Sequence, residues 1–321
     1  MLKINIFCKA SLTEGLGHLI RQIHIANELR AQNADIFFYI PKFKTARDII
    51  EQHHFPYSIV EDFDTSLIKE RDNADATILD IQDTTISFIH ELKKQSLKVI
   101  SFEDQGEGRN QVDLLIDCNL RPDDSKNIPQ KVKTLFGLSY SVLGPNFEKQ
   151  HTKKRDFFNQ IQSLLITFGG TDPHNISLEV VKYIPNNIET TIILGPGFKN
   201  QDELKKNNSI KILKYVQDMA SILANHDVVF CSGGVTLHEA MSVGTPAIVI
   251  NQAHHQEEKA EFAEKAGAAI NLGRTKSWDE NRLTEIFKLG RKNLEDMSMA
   301  GKKCIDGKGL KKVVEAILST C

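Results

Sequence analysis

Strand-like and helix-like segments alternate along almost the whole chain, which restricts it to parallel sheets with crossover helices. Ile4–Cys8 reads as a strand, and Leu19, Ile23, Ala26 and Leu29 mark one face of the helix that follows. Ile36–Ile40 (closed by Pro41), Thr77–Leu79, Lys98–Phe102 and Val112–Ile116 continue the theme, with a helix through Ile86, Ile89 and Leu92. Around Pro145–Gln160 the pattern lapses into a polar, charged stretch of the kind that joins domains. It resumes with strands at Ser163–Phe168, Thr190–Leu194, Asp227–Cys231 and Ala247–Ile250, and Leu310–Leu318 is an amphipathic helix. The expected architecture is α/β: two Rossmann-like, doubly wound domains facing a cleft, over residues 1–148 and 156–321. Packing of the C-terminal helix back on the first domain stays open. Open parallel sheets bind ligands at the carboxyl ends of their strands, and nearly every glycine-rich or polar loop here falls at such an end.

A length of 321 residues suits two domains. The net charge of −2 offers no platform for nucleic acid and no polybasic membrane patch. The longest apolar runs stop short of the roughly 18 residues that span a bilayer, so no stable membrane insertion is expected. The start, Met1-Leu2-Lys3 and then a strand, shows no signal-peptide core. Cysteines at 8, 118, 231, 304 and 321 are odd in number and widely spaced, which argues against a disulfide framework or zinc knuckle and fits a reducing cytoplasm. Cys8 and Cys231 end strands and read as small buried hydrophobes rather than ligand contacts. Nothing in the sequence sets an oligomeric state.

Three strand–loop–helix turns carry the chemistry. In Ser11-Leu12-Thr13-Glu14-Gly15-Leu16-Gly17-His18-Leu19-Ile20-Arg21 a glycine turn opens a helix, aiming backbone N–H groups and a positive helix end at one spot. His18 stands at that spot as a potential general base, with Arg21 one turn later. The other reading is a tight turn with a capping histidine. In Ser232-Gly233-Gly234-Val235-Thr236-Leu237-His238-Glu239-Ala240 two glycines permit close backbone approach, and the helix start offers N–H groups to a diphosphate. Ser232 and Thr236 add hydroxyls, and Glu239 is placed to accept from ribose hydroxyls, the alternative being a Ser232 N-cap and a solvated Glu239. In Phe168-Gly169-Gly170-Thr171-Asp172-Pro173-His174-Asn175 the aspartate can cap a helix with Pro173 at its first position, while Gly169 and Gly170 admit a phosphate or sugar. His254-His255 and His53-His54 read as helix-end polar groups, since adjacent helical histidines diverge.

The order and spacing of these three motifs resemble the UDP-sugar hydrolases of pseudaminic acid synthesis and the related spore-coat polysaccharide proteins labelled SpsG-like. The resemblance implies the two-domain glycosyltransferase-B fold, akin to MurG-type enzymes, and activity in nonulosonic acid synthesis. It makes His18 the base that activates water at the anomeric carbon. UDP then leaves with inversion and a free 2,4-diacetamido-2,4,6-trideoxy hexose is released. It puts Gly233, Gly234 and Thr236 at the phosphates of UDP and Glu239 at its ribose, and matches Asn251 to a position lining the sugar or nucleotide site. The expected sugar contacts are then Gly17, Arg21, Asp80, Gln82 and Asn251, with Gly169, Gly170 and Ser232 joining the UDP set. It implies no cofactor and no divalent metal, because a helix N-terminus takes the metal's usual place at the leaving diphosphate.

The chain departs from the hydrolase pattern in two places. Hydrolases of that pathway carry an Asp-x-Tyr element after the fourth strand, where this chain reads Leu79-Asp80-Ile81-Gln82-Asp83. Phe102-Glu103-Asp104-Gln105-Gly106-Glu107-Gly108 replaces another aspartate-rich turn, and both stretches look closer to the SpsG-like branch. Asp80, Asp83, Glu103 and Asp104 either meet the sugar's amides and hydroxyls or cap turns. An inverting, metal-independent transfer to a sugar hydroxyl is the alternative to hydrolysis.

Overall fold

Ile4, Ile6, Phe7 and Cys8 are wholly buried in the first strand, β1 (Lys3–Cys8), as expected of a central strand covered on both faces. The computed structural model describes residues 1–321 apart from 12–14, 62, 64–72, 120–126, 171, 196, 199, 205–209 and 215, and the side chains of 201, 203 and 255. The chain divides into two units, Met1–Gly144 with Lys308–Cys321, and Pro145–Gly307.

In the first unit β1 leads to α1 (Gly17–Ala31), β2 (Asp35–Pro41), α2 (Lys44–Gln52), β3 (Tyr57–Val60), β4 (Ala74–Asp80), α3 (Ile86–Leu92), β5 (Ser96–Phe102), β6 (Leu114–Asp117) and β7 (Lys133–Phe136). The strands form one parallel sheet in the order β3-β2-β1-β4-β5-β6-β7. Strand order reverses between β1 and β4, where Cys8 is paired with Asp80. One face is covered by α1, whose Leu19, Ile23, Ala26 and Leu29 join Ile4, Ile6 and Cys8 in the core. On the other face Ile89 and Leu92 of α3 pack with Phe7, Tyr39 and Leu79. The two helices that leave β1 and β4 therefore diverge to opposite faces, opening a crevice at the carboxyl ends of these strands.

The second unit repeats the plan with α4 (Asn146–His151), β8 (Ser163–Thr167), α5 (Ile176–Val181), β9 (Glu189–Ile193), α6 (Gln201–Leu204), β10 (Ile210–Leu213), α7 (Met219–Ala224) and β11 (Val228–Cys231). It continues through α8 (Val235–Val243), β12 (Ala247–Asn251), α9 (Glu257–Lys265), β13 (Ala269–Arg274), α10 (Leu283–Ile286) and α11 (Arg291–Cys304). Its parallel sheet runs β10-β9-β8-β11-β12-β13, with the reversal between β8 and β11. The last helix, α12 (Gly309–Thr320), belongs to the first unit, where Leu310, Val313, Val314 and Ile317 enter the α1 core.

The polar stretch from Pro145 is less of a linker than its charge implies. It contains α4, which buries Phe147, and Phe157 and Ile161 then anchor the chain in the second core. Among the described residues no helix is long and apolar enough to cross a membrane.

Candidate functional site

The β1–α1 loop closes on itself, with Ser11 and Gly15 exchanging backbone hydrogen bonds of 3.3 and 3.0 Å. Leu12, Thr13 and Glu14 of that motif lie outside the described residues. Gly17 opens α1, and His18, Arg21 and Gln22 follow at helical spacing on the side that meets the end of β4. All three reach one carboxylate. His18 Nδ1 lies 2.6 Å from Asp80 Oδ1, and Arg21 grips both oxygens, its Nη2 at 2.7 Å and its Nε at 2.9 Å. Gln22 Nε2 completes the set at 2.8 Å from Oδ2.

Asp80 is fully buried. Burial alone raises a carboxyl pKa, but the facing Arg21 and His18, through charge and hydrogen bonds, outweigh that and hold Asp80 below the usual carboxylate range. Arg21, correspondingly, is held above its ordinary value by Asp80 and Glu103 against the opposing effect of burial. An ionised carboxylate only accepts, so Nδ1 of His18 carries the proton and donates. Nε2 is then the basic nitrogen, and no hydrogen-bond partner holds it among the described residues. The imidazole side chain retains 19% exposure, enough to meet a ligand.

This geometry bears on two expectations. Asp80, expected at the sugar or in a turn cap, has both oxygens hydrogen-bonded to protein groups, His18 Nδ1 among them. Arg21, also expected at the sugar, spends its guanidinium on Asp80 and Glu103, the latter at 2.7 Å. Gln82 is differently placed. It follows β4 in the left-handed region at φ +57, with Asp83 beside it at +44, and lines a cavity of about 460 Å³ with Lys9, Phe63, Thr85 and Phe88. The strained turn is fixed from behind. Buried Asp104 accepts from the backbone N–H groups of Thr84 at 3.0 Å and Gly106 at 2.9 Å, and from the Thr84 and Ser101 hydroxyls. Asp104 is thus a turn-holding group.

In the second unit Gly169, at φ +79, and Gly170 extend β8 into open space, where an added Cβ meets nothing within 4 Å. Gly195 braces this loop: a Cβ there falls 2.3 Å from the Gly170 carbonyl. Thr171 and Pro196 lie outside the described residues. Asp172 accepts from the N–H groups of Ile176 and Ser177, both at 2.9 Å, so it caps α5 as expected. The helix begins at Ile176, however, which leaves Pro173 in the preceding turn rather than at the first helical position.

Ser232 is buried, Gly233 and Gly234 follow, and α8 begins at Val235 with no side-chain cap and no acidic residue in its first turn. Its leading N–H groups remain available for an anion. At Gly233 a Cβ lands 2.4 Å from the Gln256 carbonyl oxygen and 2.6 Å from Asn251 Oδ1, so only glycine fits. Half-buried Glu239 accepts from Thr236, which lowers its pKa, but burial dominates and pushes it up to about 7. Near neutral pH such a carboxyl can both donate to and accept from a diol.

Asn251, expected at the sugar or nucleotide, is wholly buried behind Gly233, with its amide N–H groups donating to Asn271 Oδ1 at 3.1 Å and the Gly273 carbonyl at 3.3 Å, while its Oδ1 has no hydrogen-bond partner among the described residues. The residues that knit the loops together were not singled out by the sequence. Gln252 Nε2 donates to the Phe168 carbonyl at 2.8 Å, and Gln256 Oε1 accepts from the Gln252 N–H at 2.8 Å. Gln22 was missed too, although a glutamine inside the apolar stripe of α1 is a readable signal of a buried polar partner. Cys8 and Cys231 are fully buried with thiol pKa values raised, chiefly by burial, and so are inert. Among the described residues no group of three or more His, Cys, Asp or Glu side chains is arranged to hold a metal ion.

Comparison with known proteins identifies the fold. The chain superposes on MurG of Acinetobacter baumannii with a TM-score of 0.68 at 14% identity, covering 99% of this chain and 100% of that one. The fold is that of the glycosyltransferase-B enzymes. Residues 164–316 match the Glycosyltransferase family 28 C-terminal domain. An uncharacterized protein of Methanocaldococcus jannaschii is 28% identical over 80% of this chain, which spans 57% of that protein's length. The spore coat polysaccharide biosynthesis protein SpsG of Bacillus subtilis is 24% identical over 97% of this chain and 96% of its own. A UDP-2,4-diacetamido-2,4,6-trideoxy-beta-L-altropyranose hydrolase of Campylobacter jejuni is 23% identical over 84% of this chain and 98% of its own.

Proposed function

We propose that this chain cleaves the anomeric C–O bond of a UDP-2,4-diacetamido-2,4,6-trideoxy hexose, with inversion, releasing the free sugar and UDP. The observation that carries the reading is His18, with Nδ1 tied to a buried carboxylate and Nε2 left to act, at the carboxyl edge where strand order reverses. In this reading Nε2 takes the proton of a water as its oxygen attacks the anomeric carbon. The C–O bonding pair leaves with UDP, whose diphosphate this reading assigns to the N–H groups at the start of α8 and to the Gly169-Gly170 loop. Ser232 and Thr236 assist at the diphosphate, Glu239 holds the ribose, and Gly17 and Gln82 face the sugar. The cavity beside Gln82 pairs two phenyl rings with amide and hydroxyl groups, which suits a deoxy sugar bearing acetamido substituents. The Campylobacter relative's activity supports the substrate class, and the uracil of the nucleotide is taken from it.

A second reading, transfer of the same sugar to a glycan hydroxyl, draws on the near full-length likeness to SpsG. Either nucleophile uses the same base. Incubating the protein with a panel of UDP-2,4-diacetamido-2,4,6-trideoxy hexoses without acceptor, followed by NMR, separates them. The expected result is stoichiometric UDP and a free sugar that first appears with inverted anomeric configuration. UDP binding with no release until a glycan acceptor is added would overturn hydrolysis in favour of transfer.

A further inference from the structure

The guanidinium of Arg21 is shared between two carboxylates on adjacent strand ends. Nη2 and Nε hold Asp80 at the end of β4, and Nη1 holds Glu103, just past β5, at 2.7 Å. Arg21 also lies over the Phe102 ring, 5.4 Å from its centre. Glu103 stands in the left-handed region at φ +49, a conformation that costs a non-glycine residue of the order of 1 kcal/mol and persists only where its surroundings enforce it. Here they do. Its N–H donates to the Ile116 carbonyl at 2.9 Å, and Cys118 Sγ donates to its Oε1 at 3.0 Å.

Among the described contacts one guanidinium, that of Arg21, bridges the two carboxylates. Of the other groups in the cluster, Gln22 from α1 is neutral, the Cys8 thiol from β1 is kept protonated by burial and by Asp80, and the Cys118 thiol donates to Glu103. Without Glu103, Nη1 of Arg21 loses this anchor, and the guanidinium is set against Asp80 by Nη2 and Nε alone.

We infer that Glu103 is a positioning residue for the reaction. Through Arg21 it holds Asp80 against His18 Nδ1, so that Nε2 is the nitrogen that takes the proton of the attacking hydroxyl. It makes no bond to substrate. This inference rests on His18 being the base, but its spectroscopic test does not.

The test uses Glu103→Gln, with Glu103→Asp as the conservative variant, in the full-length protein. Acceptor-free release of UDP from the UDP-sugar that the wild type turns over is measured across the pH range, and the ring of His18 is followed by ¹⁵N NMR without ligand. Glu103→Gln is expected to lower kcat by about 10- to 100-fold with KM within about threefold. Its rate profile against pH should also depart from that of the wild type, because the carboxylate that orients the ring is no longer held in place. Glu103→Asp should recover part of both. In the NMR spectrum the wild-type ring should be the Nδ1–H tautomer, and Glu103→Gln should loosen that preference. Wild-type kcat and pH profile in Glu103→Gln, alongside an inactive His18→Ala, would overturn this inference alone. Active His18→Ala would overturn the reading of the base instead. An unchanged ¹⁵N signature in Glu103→Gln would count against Glu103 in either case.

Discussion

Replacing His18 by alanine is expected to lower acceptor-free turnover by about 10²- to 10⁴-fold while leaving UDP affinity within about twofold of wild type. The first figure is the usual contribution of a positioned general base. The second follows from the division of labour proposed here, because the groups assigned to UDP sit on the loops after β8 and β11 of the second unit. The substitution should be well tolerated structurally. Asp80 keeps its three contacts to Arg21 and Gln22, and the lost imidazole is partly exposed. Calorimetric titration with UDP, beside a thermal denaturation curve, distinguishes this outcome from misfolding. Loss of UDP binding in parallel with turnover would mean that His18 holds the nucleotide rather than acting on water.

Asp80 should be more costly. In Asp80→Ala, Arg21 loses the partner of two of its donors while nearly buried, and His18 and Gln22 each lose an acceptor. Breaking a buried ion pair from one side typically destabilises by about 3–5 kcal/mol, which is a large share of a domain's stability. Asp80→Asn keeps the shape and tests the chemistry. Its amide no longer compels Nδ1 to hold the proton, so turnover is expected to fall by roughly 10²- to 10⁴-fold with less loss of stability. The pH dependence has a definite sign. The carboxyl is held below its unfolded value of about 3.9, so its stabilisation is complete above that pH and is lost as pH falls towards the folded value. Denaturation midpoints of the wild type should therefore drop below about pH 4 more steeply than those of Asp80→Asn. Parallel curves would show that Asp80 is not held ionised by Arg21 and His18.

The strands that the sequence revealed are those buried on both faces, such as Ile4–Cys8 and Ala247–Ile250, where an apolar run is nearly continuous. The strands it did not reveal, Tyr57–Val60, Lys133–Phe136, Ile210–Leu213 and Ala269–Arg274, are the four sheet edges. An edge strand is covered on fewer sides, and Lys133–Phe136 has no fully buried residue at all, so its pattern is weak. The glycine loops were legible because close backbone approach demands glycine at fixed places, as the crowding at Gly233 shows.

The roles of the polar residues were legible only in part. His18 announces itself by standing at the start of a helix after a glycine turn. Asp80 and Arg21 were noticed but assigned to the sugar, because their pairing joins residues 59 apart in sequence and no local spacing encodes it. Asn251 follows the same logic: the Asn271 and Gly273 groups that take its amide N–H groups come from a neighbouring strand and no local spacing announces them. Gln252 and Gln256 join loops that only the folded sheet brings together.

The most direct test of the account is hydrolysis in ¹⁸O-labelled water without acceptor, using wild type and His18→Ala on the same UDP-2,4-diacetamido-2,4,6-trideoxy hexose. The prediction is label in the anomeric hydroxyl of an inverted free sugar, unlabelled UDP, and near loss of both products in the variant. Label on the phosphate, or release that His18→Ala leaves intact, would contradict attack at the anomeric carbon by water activated at His18.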